Sequence, residues 1–153
     1  LIFSQAIPLK KLKDTYFIAV VTHFDTPLRR YLAERGNIII IDINKNLKET
    51  LQISAKVLRE GKNLVIFPEG ARTRDGELQE FKKTFAILSK ELNIPVVPFG
   101  IRGAYESMPY GSSFPKSSPI DIKFFDEIEP EELTIDEIVQ EARKEINDWL
   151  KED

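Results

Sequence analysis

Short apolar runs alternate with amphipathic stretches along the whole chain. Tyr16 to Thr22, Asn37 to Asp42, Asn63 to Phe67, Val96 to Ile101 and Ile120 to Phe125 are apolar runs set off by turn or polar residues, so each predicts a strand. Leu47 to Glu60 instead repeats its apolar positions at helical spacing, with Leu47, Leu51, Ser54, Ala55 and Leu58 sharing one face. Helices are also predicted over Leu1 to Ile7, Pro27 to Glu34 and Lys83 to Leu92. Thr134-Ile135-Asp136-Glu137 has the form of a capping box, and it opens a stretch in which Ile135, Ile138, Val139, Ala142, Ile146, Trp149 and Leu150 fall on one side of a helix. That stripe reads as core packing; the alternative, Trp149 and Leu150 facing lipid, is opposed by an acidic opposite face that anionic membranes repel. Strands separated by helices predict an α/β fold with a mostly parallel central sheet and flanking helices. A length of 153 residues suits one domain, its core at about 15–125 and its acidic C-terminal helix at about 134–151.

Composition excludes several chemistries. The chain has no cysteine, which removes disulfides, thiolate metal sites and an acyl-cysteine intermediate. Its single histidine, His23, has no acidic cluster nearby, so no metal centre is expected. No run approaches the roughly 18 apolar residues of a membrane span. The net charge of −3 conceals a division: residues 126–153 carry 12 acidic and 3 basic side chains, whereas residues 1–125 carry 19 basic and 13 acidic ones. A basic body suits phosphorylated lipids, an anionic membrane surface, the phosphates of coenzyme A or an acidic carrier protein. Lys10-Lys11-Leu12-Lys13 is the candidate docking patch, with ordinary solvated charge as the other reading. Nucleic acid has no motif to support it.

The densest chemistry lies in Phe67-Pro68-Glu69-Gly70-Ala71-Arg72-Thr73-Arg74, directly after a predicted strand. Open α/β sheets keep their ligands at such strand ends. Arginine grips phosphate through a planar fork of donors, and glycine lets backbone N–H groups come close to an anion. Solvated turn residues would look the same in isolation. No P-loop follows Gly61-Lys62, and Ser54, Ser89 and Ser107 stand in no G-x-S-x-G context, so nucleotide hydrolysis and serine hydrolysis are disfavoured. Between Gly103 and Pro119 lies a long loop carrying Tyr105, Met108, Pro109, Tyr110, Gly111 and Phe114, which either covers part of an acyl-chain groove or packs as an ordinary loop.

Read together, F-P-E-G-x-R-[ST] at Phe67–Thr73 and V-P-x-x-I-x-G at Val97–Gly103 resemble the third and fourth sequence blocks of the glycerolipid acyltransferases, the lysophosphatidic acid acyltransferase family. Gly36-Asn37-Ile38-Ile39-Ile40-Ile41-Asp42 is similar to the second block, although Ile43 replaces the basic residue that follows the aspartate. Lys45, two residues on, is the alternative phosphate contact; without one, an acceptor less charged than lysophosphatidic acid is expected. The resemblance covers roughly residues 15 to 125 and implies a glycerol-3-phosphate acyltransferase-like fold. It further implies transfer of a fatty acyl group from a thioester, on coenzyme A or acyl carrier protein, to a hydroxyl of a lysophospholipid or glycerol phosphate. No cofactor beyond that co-substrate is implied. Glu69, Gly70 and Arg72 would lie at the acceptor's phosphate end, Pro98 would shape the site beside them and Lys82 would be a further phosphate partner, with Glu69 organising the loop.

The family's first block, H-x-x-x-x-D, supplies the general base, and it has no match here: the position five residues after His23 is Leu28. The order of elements places that block just upstream of Leu1, so the chain is expected to be a piece of a longer polypeptide and inactive alone. His23, oriented by Asp25, is the competing candidate base. A non-catalytic module that holds lipid or a carrier protein on the same fold is the alternative function. The expected setting is cytoplasmic and peripheral to the membrane.

Overall fold

The computed structural model describes residues 9–20, 31, 35–41, 47–112 and 114–152. His23, Asp25, Leu28, Ile43, Lys45 and the predicted helix Leu1 to Ile7 lie outside the described residues, as does most of the predicted helix Pro27 to Glu34. The chain divides into two compact units, Leu1–Phe67 and Pro68–Asp153.

The first unit is built on a parallel sheet. A short helix α1 (Leu9–Leu12) leads into β1 (Thr15–Val20), which lies between β2 (Ile38–Ile41) and β3 (Asn63–Val65). Both pairings are parallel, with Phe17 opposite Ile38 and Thr15 opposite Asn63. The unbroken apolar run Ile38–Ile41 suits a parallel sheet, where crossover helices ordinarily cover both faces, and all four residues are half-buried. Asn37 turns the chain into β2 in the left-handed region (φ 54°), its carbonyl accepting from the Phe17 N–H at 2.9 Å and its side chain donating to the Lys13 carbonyl at 2.9 Å. The far edge is tied by an ion pair between Lys62 and Asp14, which raises the ammonium's pKa through that bond and Asp14's charge. Lys11 and Lys13 are exposed near the start of β1.

Helix α2 (Leu47–Arg59) links β2 to β3 and packs on β3. Its innermost positions are Thr50, Ser54 and Val57, with Leu51, Ala55 and Leu58 half-buried, so the inward face is turned slightly from the leucine-centred one that the spacing predicts. Compact and β-branched side chains at the centre let the helix lie close to the strands, and the longer leucines flank them.

The second unit joins two long helices and one short one to an antiparallel strand pair. Helix α3 (Thr84–Leu92) ends at Asn93, in the left-handed conformation (φ 52°, ψ 51°) that closes helices. Strand β4 (Phe99–Arg102) and a short helix α4 (Ala104–Ser107) are followed by β5 (Asp121–Phe124) and helix α5 (Ile135–Leu150). β4 and β5 pair antiparallel, Phe99 opposite Phe124 and Arg102 opposite Asp121, and Val96 bridges to Ile128 beyond them. Gly103 makes the turn out of β4 with φ 82°, where any Cβ would overlap the Pro119 carbonyl. Ala86, Ile128, Ile138 and Ala142 form the core, with Phe85, Val96, Leu133, Ile135 and Val139 packed around it.

The α5 stripe is inward, as its spacing predicts: Ile138, Ala142 and Ile146 are buried, and Trp149 is half-buried rather than turned to lipid. The Trp149 ring fills the place of the side chain that Gly100 lacks, where a Cβ would stand 2.6 Å from its Cε3. Phe125 meets the same ring edge-on at 6.2 Å, and the Arg102 guanidinium stacks on it at 4.4 Å while donating to the Trp149 carbonyl. Among the described residues no helix is long and apolar enough to cross a membrane.

The capping box forms: Thr134 Oγ1 accepts from the Glu137 N–H at 3.3 Å, and Glu137 Oε2 accepts from the Thr134 N–H at 2.8 Å. The Thr134 N–H and hydroxyl, both donating to Oε2, hold the Glu137 carboxyl below its ordinary pKa. Its contribution to stability is therefore complete above the ordinary carboxylate range and disappears as pH falls through the lowered value. Thr134→Ala is expected to cost about 1 kcal/mol near neutrality. The loss should shrink as pH falls through the lowered Glu137 pKa, where wild type loses its cap anion too. Thermal melts of both proteins from neutrality into that acid range check this; a deficit that stays constant on acidification would show that Glu137 plays no part in it.

Candidate functional site

The chemistry-bearing loop opens the second unit. The Pro68 carbonyl accepts from the Lys82 N–H at 2.9 Å, so residues 68–82 form a loop bonded at both ends. Inside it Gly70 takes φ 72°, a backbone state that side chains disfavour, and the Lys82 ammonium lies over it: a Cβ at Gly70 would stand 2.6 Å from Lys82 Nζ. Only glycine admits that approach. Glu69 turns its carboxylate into the loop, accepting from the Gln79 N–H at 2.9 Å.

The tip is a second hydrogen-bonded turn. Thr73 Oγ1 donates to Asp75 Oδ1 at 2.8 Å and accepts from the Gly76 N–H at 3.0 Å, and Asp75 Oδ1 accepts from the Glu77 N–H at 3.1 Å. The Thr73 hydroxyl and the Glu77 N–H hold the Asp75 carboxyl below its ordinary pKa, so it stays ionised. Helix α5 braces the other side, Arg143 donating to the Leu78 and Gln79 carbonyls at 3.3 Å each.

Arg72, Arg74 and Lys82 are exposed on this scaffold, as are Glu77 and Glu80. Arg72 and Arg74 both approach the ring of Tyr110, their guanidinium carbons 5.9 and 5.2 Å from its centroid. Among the described residues neither guanidinium is held in an ion pair. The Tyr105 hydroxyl donates to the Arg74 carbonyl at 3.0 Å, and its ring lies against Gly76. Two guanidinium forks and an ammonium on one short loop can take a dianionic phosphate, with the Glu69 and Asp75 carboxylates turned to backbone donors.

Of the residues singled out in the sequence, Glu69, Gly70, Arg72 and Lys82 belong to this one loop. Pro98 is placed differently: it is buried, and its carbonyl accepts from the Phe125 N–H at 3.0 Å, extending the β4–β5 pairing. Gln79, Tyr105, Tyr110 and Arg143 organise the loop, and sequence reasoning did not assign them that part. The loop from Gly103 to Pro119 is closed by Ser107 and Lys116, whose backbone bond is 2.7 Å, and it leaves Phe114 82% exposed.

The family model described as Acyltransferase matches residues 1–102. A 1-acyl-sn-glycerol-3-phosphate acyltransferase of Limnanthes douglasii is 31% identical over 94 residues, 61% of this chain and 32% of that protein. One of Cocos nucifera is 30% identical over 81 residues, 53% of this chain and 26% of that protein. The chain thus spans about a third or less of the length of these curated relatives. The crystal structure of PlsC, the 1-acyl-sn-glycerophosphate acyltransferase of Thermotoga maritima, superposes with a TM-score of 0.78 at 21% identity, over 90% of this chain and 56% of that one. The α/β fold is therefore shared with PlsC, and with two thirds of its length matched by the family model, the chain belongs to the Acyltransferase family.

Proposed function

We propose that this chain carries the acceptor-binding part of an O-acyltransferase that moves a fatty acyl group from a thioester to a hydroxyl of a lysophospholipid or glycerol phosphate. The observation that carries the reading is the loop 68–82, where Arg72, Arg74 and Lys82 present cationic groups, held in no ion pair among the described residues, on a hydrogen-bonded frame. Relatives named for 1-acyl-sn-glycerol-3-phosphate support an acceptor bearing phosphate. In the proposed reaction the acceptor hydroxyl attacks the thioester carbonyl, its proton passes to a general base, and the thiol of coenzyme A or acyl carrier protein leaves as the ester forms. The loop's part is to fix the acceptor by its phosphate so that the hydroxyl is held at the reacting carbon. A histidine oriented by an aspartate, as in the family's first block, would complete the site, and the domain works at the cytoplasmic surface of a membrane.

Titration with sn-glycerol 3-phosphate, followed through the side-chain NMR signals of Arg72, Arg74 and Lys82, tests the binding step. Saturable shifts with the phosphate ester and none with glycerol are expected. Identical responses to the two compounds would remove phosphate recognition from this loop.

A further inference from the structure

Arg72 and Arg74 are separated by Thr73, exposed, and of like charge, an arrangement in which two long side chains ordinarily diverge into solvent. Here both turn to Tyr110. We propose that Tyr110 is a positioning residue for this pair, its ring holding the two guanidinium groups together so that a single phosphate monoester meets both. The inference rests on the phosphate-binding reading of the loop and adds to it the residue that prearranges the cations.

An aromatic face suits the task better than a carboxylate would. It attracts a guanidinium through its quadrupole and leaves the charge and N–H donors available to an anion. A carboxylate would neutralise the arginines, and the nearby ones are turned elsewhere: Glu69 accepts from the Gln79 N–H, and Asp75 from Thr73 and the Glu77 N–H. Tyr110 is itself fixed. It occupies a turn in which the Ser112 N–H and hydroxyl both donate to the Pro109 carbonyl, at 3.1 and 2.8 Å, and Gly111 supplies φ 85°. The turn lies within the segment closed by the Ser107–Lys116 bonds. Five residues before Tyr110, Tyr105 bonds the Arg74 carbonyl, so the same loop holds the arginine segment by its backbone and by its guanidinium groups. Tyr110 is 54% exposed, and its removal leaves the core untouched.

The test compares wild type, Tyr110→Leu and Tyr110→Phe, with sn-glycerol 3-phosphate as the probe. Tyr110→Leu is expected to weaken binding about threefold to tenfold, the worth of two exposed cation–π contacts, while Tyr110→Phe stays within about twofold because the ring face remains. In the free protein the Nε–Hε signals of Arg72 and Arg74 should lose their ring-current shift in the leucine variant and keep it in the phenylalanine one. Wild-type affinity in Tyr110→Leu overturns the proposal while leaving phosphate recognition intact. Tighter binding overturns it too, since the ring would then compete with the anion, as does equal weakening by Tyr110→Phe, which would assign the effect to the hydroxyl. Wild type that ignores the phosphate ester defeats the phosphate reading and this proposal together.

Discussion

The 153-residue chain by itself should transfer acyl groups about 10²- to 10⁴-fold more slowly than a polypeptide in which an H-x-x-x-x-D block precedes Leu1. An alcohol is a weak nucleophile at neutral pH, and its attack on a thioester gains most from a base that takes the proton as the bond forms. A histidine oriented by a carboxylate meets that need. The chain's one histidine, His23, is followed at the fifth position by Leu28, which can orient nothing. The measurement is release of free thiol from an acyl thioester in the presence of acceptor, for both polypeptides at equal concentration. Equal rates would sink the expectation. Loss of that activity on His23→Ala would then identify His23 as the base and Asp25 as its nearest candidate partner.

In the extended polypeptide, Arg72→Ala should lower kcat/KM for a phosphate-bearing acceptor by roughly 10- to 150-fold, the loss of a charge-assisted hydrogen bond worth about 1.5 to 3 kcal/mol. An uncharged monoacylglycerol should be affected far less, because it presents nothing for the guanidinium to hold. Arg72→Lys should recover only part of the loss, since an ammonium is a point charge without the planar fork. Equal losses for the two acceptors would assign Arg72 to the thioester carrier or to the loop's structure. Arg74 shares the Tyr110 ring with Arg72, so a double substitution should exceed the single one without being the sum of two.

Local signals carried most of what could be read without coordinates. The parallel sheet follows from apolar runs that alternate with helices, and the α5 stripe and its capping box rest on interactions within three or four residues of each other. The inward face of α2 turned on a subtler matter, the choice between leucines and the smaller residues beside them. The antiparallel pairing of β4 with β5 was less legible, because the segment between Arg102 and Asp121 is long enough for either a parallel crossover or an antiparallel return. In the site, Glu69, Gly70 and Arg72, and with them Lys82, were marked by the resemblance of F-P-E-G-x-R-[ST] to a known block, since charged and glycine residues after a strand look the same when they are only solvated turn residues. Tyr105 and Tyr110 were not so marked. Their guanidinium-segment partners lie more than 30 residues earlier, 31 for Tyr105 and Arg74, and aromatic residues in a proline-rich loop fit a lipid-facing role as readily as a guanidinium-facing one.

The seating of Trp149 on Gly100 and Arg102 also sets an order of events during biosynthesis. Arg102 and Trp149 are 47 residues apart, so at ribosomal rates of about 5 to 20 residues per second the strand emerges roughly 2 to 10 seconds before the ring that covers it. Through that interval β4 has its glycine gap open and its arginine without the indole, and an apolar strand face is presented to chaperones and to other nascent chains. The unit that holds the arginine loop thus reaches its final packing only once its last helix has left the exit tunnel.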